Sequence, residues 1–365
     1  MRPEGHRLPK LNYRVTKMEL FRPAAEQLRR EFAHYREIVA RTYSGLTDQQ
    51  AYDLAYYDNL ETHDPLGRLP YYRGTDQREF FVPRLREMFA KLPDNARIGD
   101  FGAGDGQTTA MALDALPGKA VIDIIEPSPA IKTYEAYISA TENLSLGKSI
   151  QTEIGKLHSV NPLLAIPDDS LDMALCVHAI YFFDIVAGIQ SMYRKLKPDA
   201  SLFVVFADEA RSTTGRAITG YFNSIGRGDV AEEHRRVFDE RVQLLGSDSR
   251  HHNIASIIEE NFGHAPALTV EDAPSRFYAD KFGNMAAFGM VTGLPFFEPK
   301  DQVTKPQNAS FNTDKVLTVL EALKDYPDDF DLGVVDEPTN PRHGMWTTVQ
   351  PQKIVTITKP LGWSR

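Results

Sequence analysis

The sequence predicts an α/β fold: a parallel sheet with helices packed on both faces. Three observations predict it. Across residues 97–208, short β-rich runs alternate with helical stretches, the pattern of repeated strand–helix–strand units. Residues 120–125 and 202–207 are apolar apart from Asp123, as strands buried on both faces should be. Between the first strand and the first helix of this region lies a glycine-rich turn, "DFGAGDGQ".

Before this region the chain reads as helical. Pro23 suits the first position of a helix, and Ala24, Leu28, Phe32, Tyr35 and Val39 recur at three- and four-residue steps. Thr47 with Gln50 makes a capping box before residues 51–57. Residues 62–74 are rich in Pro and Gly and read as a loop. Thr75, Arg78 and Glu79 open a third helix whose apolar face holds Phe81, Leu85, Met88 and Phe89.

The alternation then runs in order. Strands are expected at 97–101, 120–126, near 149–154, at 170–177 and at 201–208, with helices at 108–116, 130–141 and 184–196. After Asp208 the pattern loosens into a broken helical stretch over 209–246 and a helix at 253–263 ended by Gly263. A strand is expected within 267–280, helices at 284–297 and 316–333, and a last strand at 353–359. Two final strands around a long insertion make a hairpin-like end to the sheet. The division expected is a helical N-terminal extension or lid at 1–90, a cofactor-binding core at 91–208, and lid insertions with the last two strands at 209–365.

The bulk numbers narrow the function. The chain of 365 residues suits two average domains, or one α/β domain with large additions. With 41 basic against 50 acidic residues the net charge is −9, which disfavours a phosphate backbone, hence nucleic acid, as partner. The early basic residues precede no apolar run, so no secretory signal is read, and no stretch of roughly 18 apolar residues predicts a membrane span. Cys176 is the single cysteine. It excludes internal disulfides, and a reducing, cytoplasmic setting is expected. His251 and His252 are adjacent and face different ways. Residues 325–333, "DYPDDFDLG", lack calcium-loop spacing. No metal is expected, and nothing in the sequence sets the oligomeric state.

The glycine turn carries the chemistry. Gly102, Gly104 and Gly106 permit positive φ and let a ligand approach the backbone. Glu126, 20 residues after Gly106, ends the second strand, where a carboxylate can accept both hydroxyl hydrogens of an adenosine ribose. Dinucleotide folds use G-x-G-x-x-G. Here the spacing is G-x-G-x-G and Gln107 stands at the third glycine's place, so an NAD-dependent oxidoreductase is the remote alternative. Asp100, before the turn, would repel a pyrophosphate and suits an ammonium group. S-adenosylmethionine carries an ammonium, a sulfonium and no phosphate.

On these residues the chain resembles the class I S-adenosylmethionine-dependent methyltransferases. "IGDFGAGDG" looks like their first motif and "IIEP" like their second, "PDDSLDMALCVHAIYFFD" like the segment leading into strand four, and "LKPDASLFVVF" like the turn and strand five. Many members have a glycine pair where Asp199 and Ala200 stand here. The resemblance implies a Rossmann-like seven-stranded methyltransferase sheet with an antiparallel final strand. It also implies cofactor contacts from Asp100, Gly102, Ala103, Gly104, Gly106, Glu126, Pro127 and Val177. A looser similarity, in "EPSPAIKTYEAYI" and "MWTTVQPQKIVTITK", is to histamine N-methyltransferase and its relatives. It implies that His178, Tyr181 and Phe182 face the bound amine. That family has a glutamine at the place of His178, and an asparagine pair where Thr347 and Thr348 stand.

Methyl transfer to an amine needs a neutral nitrogen, and to a hydroxyl the loss of a proton. A histidine near its ordinary pKa can accept that proton, and His178 follows the fourth strand, at the edge where open α/β sheets bind ligands. It is expected to contact substrate and to act as the base. Tyr181 and Phe182 are expected to wall the pocket, since aromatic faces suit a cationic amine. Tyr72, with Tyr71, in the loop before the third helix, is expected to close over the cofactor. Cys176 is expected to be a small buried apolar residue. The Asp-Pro-Pro-Tyr motif of base and glutamine methylation is absent, and "VHAIYF" stands there. The expected reaction is S-adenosylmethionine-dependent methylation of a small molecule, at an amine nitrogen, with oxygen or carbon acceptors as the alternative.

Overall fold

Apolar runs become the central strands and the amphipathic stretches between them become helices in a computed structural model. It describes residues 15–17, 45–46, 75–152, 156, 158–246, 252–279 and 331–361. The strands are β1 (Val15–Lys17), β2 (Ala96–Phe101), β3 (Ala120–Glu126), β4 (Leu144–Gln151), β5 (Leu171–Val177) and β6 (Leu196–Ala207). After these come β7 (Ala267–Ala273), β8 (Arg276–Ala279), β9 (Gly333–Val335), β10 (Trp346–Val349) and β11 (Gln352–Thr358). The helices are α1 (Gln77–Phe89), α2 (Gln107–Leu113), α3 (Ile131–Ala140), α4 (Ile185–Lys195), α5 (Thr213–Ser224), α6 (Gly228–Leu244) and α7 (Ile254–Phe262). The helices expected at 24–39, 47–57 and 284–297, and over most of 316–333, lie outside the described residues, as do Tyr71, Tyr72 and His251.

The described residues divide into two units, one drawn from 15–75, 276–279 and 331–349, the other from 76–275 and 350–361. The first holds an antiparallel sheet in the order β1-β9-β10-β8. The second holds a seven-stranded sheet in the order β4-β3-β2-β5-β6-β11-β7. Its first five strands are parallel, and β11 runs antiparallel to both β6 and β7. This is the Rossmann-like seven-stranded order, with one antiparallel strand, that the resemblance implies. The chain winds outward from β2 to β4, then returns to β5 on the other side of β2. The strand order therefore reverses between β2 and β5, which opens a crevice at their carboxyl ends.

Each face of the sheet carries its own core. One joins Phe81, Leu85 and Phe89 of α1 to Ile98, Ile122 and Phe203; the other joins Phe101, Cys176, Ile189, Met192 and Phe262. Burial of each such side chain contributes about 1.5–3 kcal/mol. Caps set the helix ends: Asp184 accepts from the Ala187 amide at α4, Asn253 accepts from Ala255 and Ser256 at α7, and Gly263 ends α7 at φ +75°. In β3, Asp123 is fully buried and takes the Arg97 guanidinium through two bonds of 2.5 and 3.1 Å.

The structure departs from the expected reading in four places. The helix α1 belongs to the sheet's core, tied by Arg86 to Asp114 and by Arg84 to Glu271, so the cut falls after Thr75 and not after residue 90. The N-terminal portion is not helical throughout, because Val15–Lys17 pairs with Gly333–Val335 as a strand. The single strand expected within 267–280 is two strands in two different sheets, split at Pro274, which has no amide hydrogen to continue a ladder. The strand expected near 149–154 begins earlier, at Leu144.

Candidate functional site

Two loops leave the sheet at the reversal, and both are shaped by left-handed backbone. After β2, Gly102 sits at φ +75° and its amide donates to the Ile125 carbonyl at 2.7 Å. A Cβ on Gly102 would stand 2.1 Å from the Ala179 Cβ, so the two loops touch there. Gly106, at φ +74°, opens α2, and a Cβ on it would lie 2.0 Å from the Tyr134 ring. Both positions exclude a side chain by conformation and by space.

Carboxylates take the amides of this turn. Glu126, 7 % exposed, accepts from the Gly104 amide through Oε2 and from the Ser128 amide through Oε1, each at 2.8 Å. Burial pushes its pKa up, and the two amides oppose that shift. The Ser128 hydroxyl adds a third donor, and since a carboxylate offers about four lone-pair sites, one remains for a ligand hydroxyl. Asp105 accepts from the Gln107 amide at 3.0 Å at the start of α2. Ala103 and Pro127 are partly exposed beside the turn. Val177 ends β5 opposite Val205.

Asp100 lies beneath the turn, 2 % exposed, and accepts from the Thr109 hydroxyl at 2.5 Å. Burial raises its pKa to about 6; Thr109 and Tyr134 oppose this, and the Glu126 charge adds to it. The carboxylate is directed at α2, so whatever it does for a ligand it does as a charge under the loop. Thr109 holds it and the buried Tyr134 lies beside it, and neither was singled out from the sequence; Thr109 could have been found from its place two residues after Gln107, in the first turn of α2.

His178 follows β5 at φ +53°, the left-handed region that few non-glycine residues adopt. Its amide donates to the Val205 carbonyl at 2.8 Å, and its ring meets Phe81 edge-on at 6.0 Å. Burial lowers its pKa to about 4, with the Arg78 charge also lowering it and Gln352 opposing. The ring is therefore neutral at physiological pH.

Tyr181 receives the Ala207 amide on its hydroxyl oxygen, and its ring lies 4.8 Å from the Arg241 guanidinium. Arg241 is paired with Glu209, and Asp208 with Arg211. Phe182 is partly buried against the core on this face. Cys176 is fully buried, and burial pushes its thiol pKa up. Thr347 and Thr348 lie on β10 in the other unit. The structure thus gathers Asp100, the glycines, Glu126 and His178 at one edge of one sheet. Gln352, Ser275, Glu209 and Arg241 were not expected there. Several buried side-chain atoms of this region have no hydrogen-bond partner: the Tyr134 hydroxyl, His178 Nε2, Arg241 Nε and Gln352 Oε1. Buried polar groups are normally paired, so the edge is polar and incompletely satisfied, as a ligand site is.

Among the described residues, no group of three or more His, Cys, Asp or Glu is placed to hold a metal ion, and no helix is long and apolar enough to cross a membrane.

No family model matches the chain, and no curated protein matches it. Solved structures similar to it include the YcgJ protein from Bacillus subtilis, at 13 % identity and a TM-score of 0.45, covering 77 % of this chain and 98 % of that one. A putative methyltransferase from Bacillus halodurans matches at 14 % identity and a TM-score of 0.43, covering 76 % of this chain and 98 % of that one. The [4+2]-cyclase SpnF matches at 12 % identity and a TM-score of 0.37, covering 77 % and 81 %.

Proposed function

We propose that this chain binds S-adenosylmethionine at the crevice between β2 and β5 and methylates a small molecule there, at an amine nitrogen. The observation that carries the reading is the use made of the loop amides. The two amides a pyrophosphate would need, Gly104 N–H and Gln107 N–H, are already given to Glu126 and Asp105. A phosphate would meet three carboxylates, those of Asp100, Asp105 and Glu126, where dinucleotide folds offer bare donors and a helix N-terminus. A cation with ribose hydroxyls fits the same groups. Glu126 has a lone pair left for a ribose hydroxyl, Asp100 lies under the turn as a negative charge, and Ala103, Pro127 and Val177 supply apolar surface beside it.

When bound, S-adenosylmethionine supplies a methyl group already activated on a sulfonium. The protein's remaining task is alignment, which can be worth about 7–11 kcal/mol. His178, held neutral, presents a lone pair to an N–H of the acceptor and so keeps the nucleophile's own lone pair turned to the methyl. Tyr181 and Phe182 flank that position, Tyr181 offering a ring face already backed by Arg241. A hydroxyl or carbon acceptor is the second reading. It is favoured by the ion pairs Asp208–Arg211 and Glu209–Arg241, which cancel the acids that would otherwise attract an ammonium.

The reading is tested in two steps. Calorimetry is expected to give binding of S-adenosylhomocysteine and none of NAD; the reverse overturns it. Methyl release is then measured against amines, phenols and activated carbon acids. Turnover with amines is expected, and His178→Asn, which tolerates φ +53°, is expected to lower the rate about 100-fold with S-adenosylhomocysteine affinity unchanged. An unchanged rate in that variant removes His178 from the site.

A further inference from the structure

Arg241 brings a buried guanidinium to the crevice edge, and only part of it is used. The residue lies on α6 and is 8 % exposed. Its guanidinium carbon stands 4.8 Å from the centroid of the Tyr181 ring, over the ring face. Tyr181 follows β5, and its hydroxyl oxygen takes the Ala207 amide at the end of β6. Arg241 is therefore held at the carboxyl ends of β5 and β6, with one face of its guanidinium covered by an aromatic ring.

A guanidinium covered in this way makes its hydrogen bonds in its own plane, through five N–H donors set as forks. Glu209, two residues past β6, takes Nη1. The fork formed by Nε and Nη2 has no acceptor among the described residues, and Nε is buried. A buried charged donor is costly to leave unmade. The nearby acids do not fill the fork, because Asp208 is bound to Arg211 at 2.6 Å and Glu209 is engaged at Nη1.

The missing partner has a definite chemistry. Two parallel N–H groups match the two oxygens of a carboxylate. A phosphate would bring two charges against Asp208 and Glu209, whereas a carboxylate brings one. Burial pushes the Glu209 pKa up and Arg241 opposes that shift, so a proton taken up by Glu209 would offset the added charge.

We propose that the Nε–Nη2 fork of Arg241 binds a carboxylate of the methyl acceptor, which makes the acceptor an amino acid held by its acid group at Arg241 and by its amine beside His178. An amine with no acid group leaves the fork empty, and a site built to hydrogen-bond a group rejects the analogue that lacks it. This deepens the methyl-transfer reading and rests on it for the reaction. The carboxylate site itself does not depend on that reading.

The test compares acids with their amides. Amino acids with one to four carbons between nitrogen and carboxylate are offered with S-adenosylmethionine, each beside its carboxamide. The acid is expected to exceed the amide by about 100-fold or more in kcat/KM. Arg241→Lys, which keeps a charge for Glu209 but loses the fork, is expected to raise KM for the acid about 10–100-fold, with S-adenosylhomocysteine affinity unchanged. A second readout needs no turnover. Proton–nitrogen spectra of the full chain follow the arginine Nε–H signals, and the signal missing in Arg241→Lys belongs to Arg241. Acetate is expected to shift that signal downfield and acetamide to leave it in place. A signal unmoved by acetate, amides used as well as acids, or turnover confined to acceptors with no acid group overturns the proposal; with no turnover in the panel, the signal decides. Should Arg241→Lys fail to fold, Arg241→Met with Glu209→Gln, which removes the pair as a unit, assigns the signal. A signal shifted by acetate in a chain that binds no S-adenosylhomocysteine leaves the carboxylate site standing and overturns the proposed function alone.

Discussion

Replacing Asp100 by Asn should stabilise the ligand-free protein and weaken its hold on a cationic cofactor. The pKa of Asp100 is raised from 3.8 to about 6 because the group is 2 % exposed. A carboxyl whose folded pKa is raised is most compatible with folding when protonated. Its favourable share is fully present below pH 3.8, declines as pH rises, and is lost above pH 6. Two pKa units and a fraction amount to about 3 kcal/mol at neutral pH. Asn keeps the shape and an oxygen for Thr109 but carries no charge. Urea unfolding is expected to show a gain of about 2–3 kcal/mol for Asp100→Asn at pH 8, about half of that at pH 5 and about 0.5 kcal/mol near pH 4. Calorimetry is expected to show weaker binding of S-adenosylmethionine, with a smaller loss for S-adenosylhomocysteine, which keeps the ammonium group but lacks the sulfonium charge. A gain independent of pH, or equal losses for the two ligands, would refute the reasoning.

Two further variants probe the scaffold. Gly102→Ala forces a Cβ into the left-handed region, which costs about 1–2 kcal/mol, and to within 2.1 Å of the Ala179 Cβ. Unfolding and S-adenosylhomocysteine titration should both worsen, with Ala179→Gly in the same chain recovering the contact but not the backbone strain; full recovery in that double variant would contradict the conformational part. Asp123→Ala leaves the partly exposed Arg97 without its buried partner. It should lower unfolding free energy by about 2–4 kcal/mol, and a loss under about 0.5 kcal/mol would show that the pair is inconsequential.

How much was legible follows from how each residue is surrounded. The strands β2, β3, β5 and β6 could be read because central parallel strands covered on both faces are mostly apolar, and because left-handed turns call for glycine; β4, at the sheet edge and largely exposed, was placed several residues late. Even the departure at Asp199 is accommodated: it stands where the resemblance leads one to expect a glycine pair, and it takes φ +67°. The small sheet could not be read. Its strands are three or four residues long, too short for a period, and β1 and β8 pair with segments far away in sequence. The helix α1 looked like part of an extension because its apolar face says that it packs but not on what. At the site, the turn and Glu126 were legible from spacing. The place of Gln352 at this edge was not, because it arrives through the register of an antiparallel strand more than one hundred residues later, and no local pattern encodes a register.

That same register has a consequence for biogenesis. Until Gln352–Thr358 emerges from the ribosome, β6 and β7 have no partner between them, and the apolar edge of β6 presents open amides and carbonyls to other chains. The half-built sheet is an aggregation template throughout the synthesis of everything that separates Val204 from Val355. Chains truncated before β11 should collect as insoluble material, and the full chain should depend on holdase chaperones during translation and not afterwards.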